Sequence, residues 1–265
     1  MRAGVGTHRR LVLITGASSG IGQALATEYV ARGWRVALVA RRQAALQDWI
    51  AQQGWSQEQA CSYGADVRRD ENMAEVARQC LAHQGLPDVV IANAGISVGV
   101  DLRYAEDLGV LRDLYETNVL GVAATFQPFI EPMVARGQGA LVGIASVAAA
   151  RGLPGHAGYC GTKAAVVQMC ETLRGELAPA GVRVVTLAPG YVATPLTQDN
   201  DYPMPFLMRP EVFARQAVNA IERGVRFKVI PWQMGVVYAL LRALPRALFD
   251  ALVGAQTHRK KRRRP

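Results

Sequence analysis

Cysteine is scarce in this chain: four residues in 265, Cys61, Cys80, Cys160 and Cys170. They show neither metal-ligand spacing nor a framework of pairs. That argues against a disulfide-stapled scaffold and a zinc module, and leaves free thiols in a reducing compartment. Long apolar runs are missing too, and none approaches the roughly 20 residues of a membrane-spanning helix. Residues 1–10 are polar, and the apolar run 11–15 is too short for the core of a secretory leader, so a cytoplasmic location is expected. Charged residues make up only 19% and apolar ones 50%, which excludes a disordered chain. The net charge of +9 is carried by the ends: six cations in residues 259–264 and Arg2, Arg9 and Arg10, with residues 11–258 balanced. The body therefore offers no basic groove, and no specific nucleic-acid partner is expected.

What is present begins with length, enough for one large α/β domain. Residues 11–15 are apolar and β-branched, as a buried strand requires. They run into Thr15-Gly-Ala-Ser-Ser-Gly-Ile-Gly22, a glycine-rich turn that opens a helix from Gly22 to Arg32, ended by Gly33. A second strand follows at 35–40, completing a βαβ unit. The spacing is Gly-x-x-x-Gly-x-Gly. Glycine lets the backbone approach a phosphate closely, and the helix N-terminus offers free N–H groups and a positive dipole end. Gly16, Ser18, Ser19, Gly20, Ile21 and Gly22 are the candidate pyrophosphate cradle.

At the end of the second strand stand Ala40, Arg41 and Arg42, where an NAD site would carry a carboxylate for the ribose 2′-hydroxyl. A guanidinium fork matches a 2′-phosphate instead. NADP(H) is the preferred cofactor, with NAD(H) the alternative. A helix is expected at 44–53 and a strand at 60–65. The strand leads to Asp66, which either accepts from an adenine amino group or caps the helix that begins near Asp70. A fourth strand, 88–92, leads into Asn93-Ala94-Gly95. Residues 104–136 read as one long helix interrupted by Asn118, a poor mid-helix residue whose amide competes with the backbone. A fifth strand, 140–145, ends at Ser146. The helix over 157–178 places Tyr159 and Lys163, four residues apart, on one face. A sixth strand, 182–188, ends in Pro189-Gly190. Residues 191–209 are irregular and contain prolines, as a lid or binding loop would.

Taken together, TGASSGIG at 15–22, NAG at 93–95, Asn118, Ser146, YCGTK at 159–163 and Pro189-Gly190 with Thr194 resemble the short-chain dehydrogenase/reductase family in its one-domain form. The likeness spans about residues 11–230. It implies a Rossmann-type α/β fold: a doubly wound, seven-stranded parallel sheet in order 3-2-1-4-5-6-7, in three α/β/α layers. It also implies NAD(P)-linked interconversion of alcohols and ketones, and a homodimer or homotetramer built through the helices at 104–136 and 157–178. By the same likeness Val67, Asn93, Ala94, Gly95, Pro189, Gly190, Val192 and Thr194 join the cofactor contacts, with Tyr159 and Lys163. The Asn-Ser-Tyr-Lys tetrad is complete. Two departures stand out: Ala92 where Asn often precedes NAG, and Ser19 where NADP-binding members often carry a basic residue.

The chemistry expected of these residues follows. A carbonyl that is being reduced needs a proton on its oxygen, and a tyrosine of ordinary pKa, about 10, gives one up reluctantly near neutrality. An ammonium about 4 Å away favours phenolate by about 4 kcal/mol at an effective dielectric of about 20, or about three pKa units. Lys163 would supply that charge to Tyr159 and bond the nicotinamide ribose. Ser146 would donate to the carbonyl oxygen, and Asn118 would hold a water linking Lys163 to solvent. His156 and Cys160 are assigned no role. A non-catalytic cofactor-binding regulator or membrane-surface scaffold with the same fold is the competing reading.

After a helix at 211–223 and a strand at 226–230, the domain is expected to end near residue 232. Residues 233–257 form an apolar helical extension, and 258–265 a basic tail to balance the flexible basic segment 1–10. Val237, Leu240, Leu241, Leu244, Leu248 and Leu252 recur at helical spacing, and Pro245 should break the helix. Two readings compete: an appendage packed on the body or on a partner subunit, or a peripheral membrane contact with the tail drawn to anionic lipid. Six cations could also hold polynucleotide without specificity. An apolar small-molecule substrate is expected from residues 203–208.

Overall fold

The computed structural model describes residues 9–254, so the basic tail and most of the N-terminal segment lie outside the described residues. Seven strands form one parallel sheet: β1 (Leu11–Thr15), β2 (Arg35–Ala40), β3 (Ala60–Gly64), β4 (Val89–Ala92), β5 (Gly139–Ile144), β6 (Val182–Pro189) and β7 (Phe227–Ile230). Their order is β3-β2-β1-β4-β5-β6-β7, as expected. The helices are α1 (Gly20–Ala31), α2 (Gln43–Gln52), α3 (Asp70–His83), α4 (Asp107–Tyr115), α5 (Gly121–Arg136), α6 (Ala157–Leu177), α7 (Pro210–Glu222), α8 (Trp232–Ala243) and α9 (Arg246–Gly254).

The central strands are buried on both faces, which is why they read as unbroken apolar runs. Their alternate side chains build two cores. Val12, Ile14, Val36 and Leu38 meet Leu25 and Tyr29 of α1 and Phe213 and Val218 of α7 on one face. Leu11, Leu13, Ala37 and Val39 share the other with Met73, Phe126, Phe129 and Val166. A period of two along each strand thus fixes which helix each side chain meets. All four cysteines are free thiols.

Two expectations need correction. The helix read over 104–136 begins at Asp107, and a π-helical segment, Glu116–Leu120, divides α4 from α5 around Asn118. Hydrophobic spacing does not reveal the extra residue of a π turn. Asp66 caps no helix, because α3 begins at Asp70 with Arg69 at its N-cap. Arg10 lies over the Trp34 ring at 4.1 Å and 3.6 Å from Glu222. Pro245 does break the extension: Leu244 turns extended, with φ −63° and ψ 129°, and separates α8 from α9.

Candidate active site

The C-terminal edges of β1, β2, β4, β5 and β6 open on a cleft of about 630 Å³. This is where open parallel sheets hold ligands. The glycine turn forms its floor. Gly16 takes φ +66°, and a Cβ built on it would stand 2.7 Å from Ala94 Cα. A Cβ on Gly22 would stand 2.2 Å from the Gly16 carbonyl oxygen. Both positions are closed to any side chain, so at these two glycines the turn is packed to its limit from below. Gly16, Ser18, Ser19, Gly20 and Ile21 line the cleft, whereas Gly22 is buried beneath it. Ser19 stands at the N-cap of α1 and its hydroxyl caps nothing there, which leaves it for a ligand.

Asn93 braces this floor. Its Nδ2 donates to the Thr15 carbonyl at 3.0 Å and the Gly16 carbonyl at 3.2 Å. The backbone N–H groups of Asn93 and Ala94 donate to Thr15 Oγ1 at 3.1 and 3.2 Å. The NAG motif thus holds the turn's shape from the neighbouring strand.

Val39, Ala40, Arg41, Asp66, Val67 and Arg68 line one end of the cleft. Arg42 is not among the lining residues and stands exposed at the N-cap of α2. Asp66 carries a partner the sequence did not suggest. Arg68 Nη2 lies 2.7 Å from its Oδ2, and Arg68 Nε donates to both carboxylate oxygens. These bonds hold the Asp66 carboxyl below its usual range. Arg68 also reaches Asp113 on α4 at 3.4 Å, so the pair links the two walls.

Tyr159 and Lys163 enter from the first turns of α6, beside Ser146 at the end of β5, and all three line the cleft. Ser146 Oγ accepts from the Ala148 N–H at 3.1 Å. Burial pushes the Tyr159 phenol up to about 12, opposed by a hydrogen bond from Ser146. Burial also pushes the Lys163 ammonium down to about 8. Its Nζ donates to the Ile144 carbonyl at 2.8 Å and lies 5.8 Å from the Tyr159 ring centre. An ammonium about 4 Å away would lower the phenol. The protein alone turns it to the end of β5, and burial governs the phenol instead.

Asn118 is buried in the π-helical segment. It donates to the Ile96 carbonyl at 2.9 Å and to Thr162 Oγ1 at 3.1 Å, and its Oδ1 accepts from the Ile96 N–H at 2.8 Å. It thus ties the loop after β4 to α6. A Cβ on Gly95 would stand 3.2 Å from Asn118 Oδ1 and 3.5 Å from Lys163 Nζ, so these two polar groups meet over one glycine.

The remaining wall is the segment after β6. Pro189, Gly190, Val192, Thr194, Pro195, Leu196 and Thr197 line the cleft. Residues 191–208 form a loop closed at its base, where Met208 N–H donates to the Tyr191 carbonyl at 3.0 Å and Ala193 N–H to the Met208 carbonyl at 2.9 Å. Tyr202 stands edge-on to His156 and to Tyr191, at 5.9 and 6.3 Å. Arg151, on the loop after Ser146, belongs to no motif in the sequence. Its guanidinium donates to the Leu241 carbonyl at 2.7 Å and to the Leu244 carbonyl, and it lies 5.4 Å from the Phe249 ring. It therefore fastens the end of α8 and the start of α9 to the Ser146 loop.

The donor set suits a dinucleotide. Backbone N–H groups at a helix start face a space that no side chain fills, and Arg41, Arg68 and Lys163 outnumber Asp66 and Asp113 around it. Comparison with known proteins agrees. Residues 10–203 match the short chain dehydrogenase family. An uncharacterized oxidoreductase of Myxococcus xanthus is 38% identical over 245 residues, 91% of this chain and 95% of that protein. A short-chain dehydrogenase structure from Streptomyces avermitilis superposes with a TM-score of 0.75 at 28% identity, covering 92% of this chain and 94% of the other. A 3-ketoacyl-(acyl-carrier-protein) reductase from Brucella melitensis, complexed with NADH, gives 0.73 at 28% identity over 84% and 96%. The chain belongs to the short-chain dehydrogenase/reductase family of oxidoreductases.

Proposed function

We propose that this protein interconverts a ketone or aldehyde and its alcohol with NADP(H), on an apolar substrate. The observation that carries the reading is the convergence of Ser146, Tyr159 and Lys163 on the cleft floored by the Gly16–Gly20 turn. The dinucleotide, when bound, supplies or takes up two electrons with one hydrogen. The turn and the start of α1 bind its pyrophosphate, and Arg41 takes the 2′-phosphate, since Ala40 offers no carboxylate to a free ribose hydroxyl. The Brucella reductase was seen with NADH; Arg41 is the feature of this chain that favours the phosphorylated form.

In the reductive direction Ser146 orients the substrate oxygen, and Tyr159 gives up its phenolic proton to it. A phenol at about 12 is fully protonated at neutral pH, so the acid is in place before the reaction starts. Lys163 spends one N–H on the Ile144 carbonyl, which leaves two for the ribose and for stabilising the phenolate that the proton's departure creates. Asn118 holds the loop that frames Lys163. Tyr191, Tyr202 and Leu196 beside the cleft suit an apolar substrate.

The test is NADPH oxidation against a panel of ketones and aldehydes. Tyr159→Phe is expected to lower kcat by about 10²–10⁴-fold with NADPH affinity retained. Turnover that survives the substitution removes Tyr159 from the acid's role. Arg41→Ala is expected to raise KM for NADPH far more than for NADH, and an unchanged ratio removes the preference.

A further inference from the structure

We propose that α8 and α9 form a docking surface for a lipid membrane bearing anionic headgroups. The starting observation is that these helices are apolar on two opposite faces. Met234 and Tyr238 pack against Ala188 and Val229, and Phe249 is buried beneath Arg151. The outward side carries Trp232, Val236 and Leu240 at four-residue steps on α8, and Leu248 and Leu252 at the same step on α9. All five are at least half exposed, Trp232 at 69% and Leu240 at 65%. A helix that is apolar all round is normally buried on every side; here the outer face has no cover from the described residues of the chain.

Length excludes one way of covering it. At 1.5 Å per residue α8 is about 18 Å long and α9 about 14 Å, short of the roughly 30 Å of a hydrocarbon core. No helix among the described residues is long and apolar enough to cross a membrane. Helices of this size and composition lie along an interface, with tryptophan at the headgroup level.

Charge selects the occupant. Residues 11–231 are close to neutral, with 19 cationic and 20 anionic side chains. Residues 232–265 carry eight cations against the single Asp250. Two of these, Arg242 and Arg246, are exposed and flank the helix break. The other six stand at 259–264, starting five residues past the end of α9, within about 18 Å of extended chain. A second copy pairing through the same stripe would bring two such cationic ends together, whereas an anionic bilayer answers both the apolar stripe and the charge. Polynucleotide would satisfy the cations and leave the stripe bare.

The position gives the docking a use. Tyr191, which begins the loop over the cleft, packs in the same cluster as Met234 and Tyr238. Phe206 and Leu207, about half exposed, precede the Met208 N–H that bonds the Tyr191 carbonyl. An apolar substrate dissolved in the bilayer would reach the cleft past this loop. That last step rests on the function proposed above; the docking does not.

The test is flotation of the full chain with vesicles of phosphatidylcholine alone and of phosphatidylcholine mixed equally with phosphatidylglycerol. The protein is expected to float with the mixed vesicles only. Leu240→Glu with Leu252→Glu should weaken binding at least about tenfold, and glutamine at the six cations of 259–264 at least about 100-fold. Both variants should keep the far-UV spectrum and NADPH affinity of the parent, since Leu240 and Leu252 are exposed and residues 259–264 lie outside the described residues. No flotation, or flotation indifferent to the leucine substitutions, overturns the proposal. So does a dimer that Leu240→Glu dissociates in a protein that never floats, which would assign the stripe to a second copy. Retention on duplex DNA without vesicle binding would assign the tail to polynucleotide. Binding is read without turnover, so its failure is separate from failure of the proposed reaction.

Discussion

The glycine turn and the C-terminal extension use close packing in opposite ways. In the turn Gly16 and Gly22 are filled to contact. Gly22 leaves no room for a methyl group against Gly16, and Asn93 holds the backbone from the next strand. In the extension one face is anchored and the other is open, with Trp232, Val236 and Leu240 outward. The contrast shows that apolar content alone does not mark a core. What marks it is whether a neighbouring element supplies the opposing surface.

The largest expected effect falls on the turn. Gly22→Ala must displace the Gly16 carbonyl or the start of α1, an overpacking cost of about 1–3 kcal/mol. Because the displaced atoms are the cradle itself, NADPH affinity should fall about 100-fold, measured by fluorescence titration. Unchanged affinity would mean that the close fit has no bearing on binding.

Next is the titration of Lys163. Burial lowers its folded-state value from 10.5 to about 8. The ammonium is therefore intact below about pH 8, and above it kcat/KM for NADPH should fall about tenfold per pH unit. Stability carries the opposite sign. Between about 8 and 10.5 the unfolded chain holds a proton that the folded chain has released, so this residue's contribution improves as pH rises through that window. Lys163→Met should thus stabilise the fold more at pH 7 than at pH 10, read from denaturant midpoints.

A smaller effect concerns the anchor. Arg151→Ala removes charged hydrogen bonds to the Leu241 and Leu244 carbonyls, worth about 1.5 kcal/mol or more in total. Amide exchange over residues 232–254 should quicken about tenfold while the turn's exchange stays unchanged. Equal quickening in both regions would show that they open as one unit. The smallest effect is Leu240→Ser, expected to change global stability by no more than about 0.5 kcal/mol because the side chain is 65% exposed. A large loss would mean that the stripe is covered in solution.

How much of this was legible in the sequence differs along the same divide. The strands were, because a strand buried on both faces must be apolar and β-branched. The turn was, because three glycines within seven positions have few other uses. The side-chain partnerships were not. Tyr159 and Lys163 share a helix face, but spacing does not say that the ammonium will take the Ile144 carbonyl rather than the phenol. Arg41 and Arg42 read alike, yet only the first is among the residues lining the cleft. Asp66 was singled out without Arg68, since the fork between them depends on the loop's path. Arg151 was passed over because its partners are backbone carbonyls 90 and 93 residues away.

The π turn at Glu116–Leu120 makes the active site sensitive to residue number. Such a turn holds one residue beyond the α-helical count. A chain one residue shorter there would wind straight through as α-helix, the flanking turns keeping their faces and the widened turn being lost. Asn118 would then leave its moorings on Ile96 and Thr162. Lengthening by one would do comparable harm, whereas the loop at 197–206 has no such arithmetic to keep. Natural length variation should therefore be sought in that loop and not in this helix.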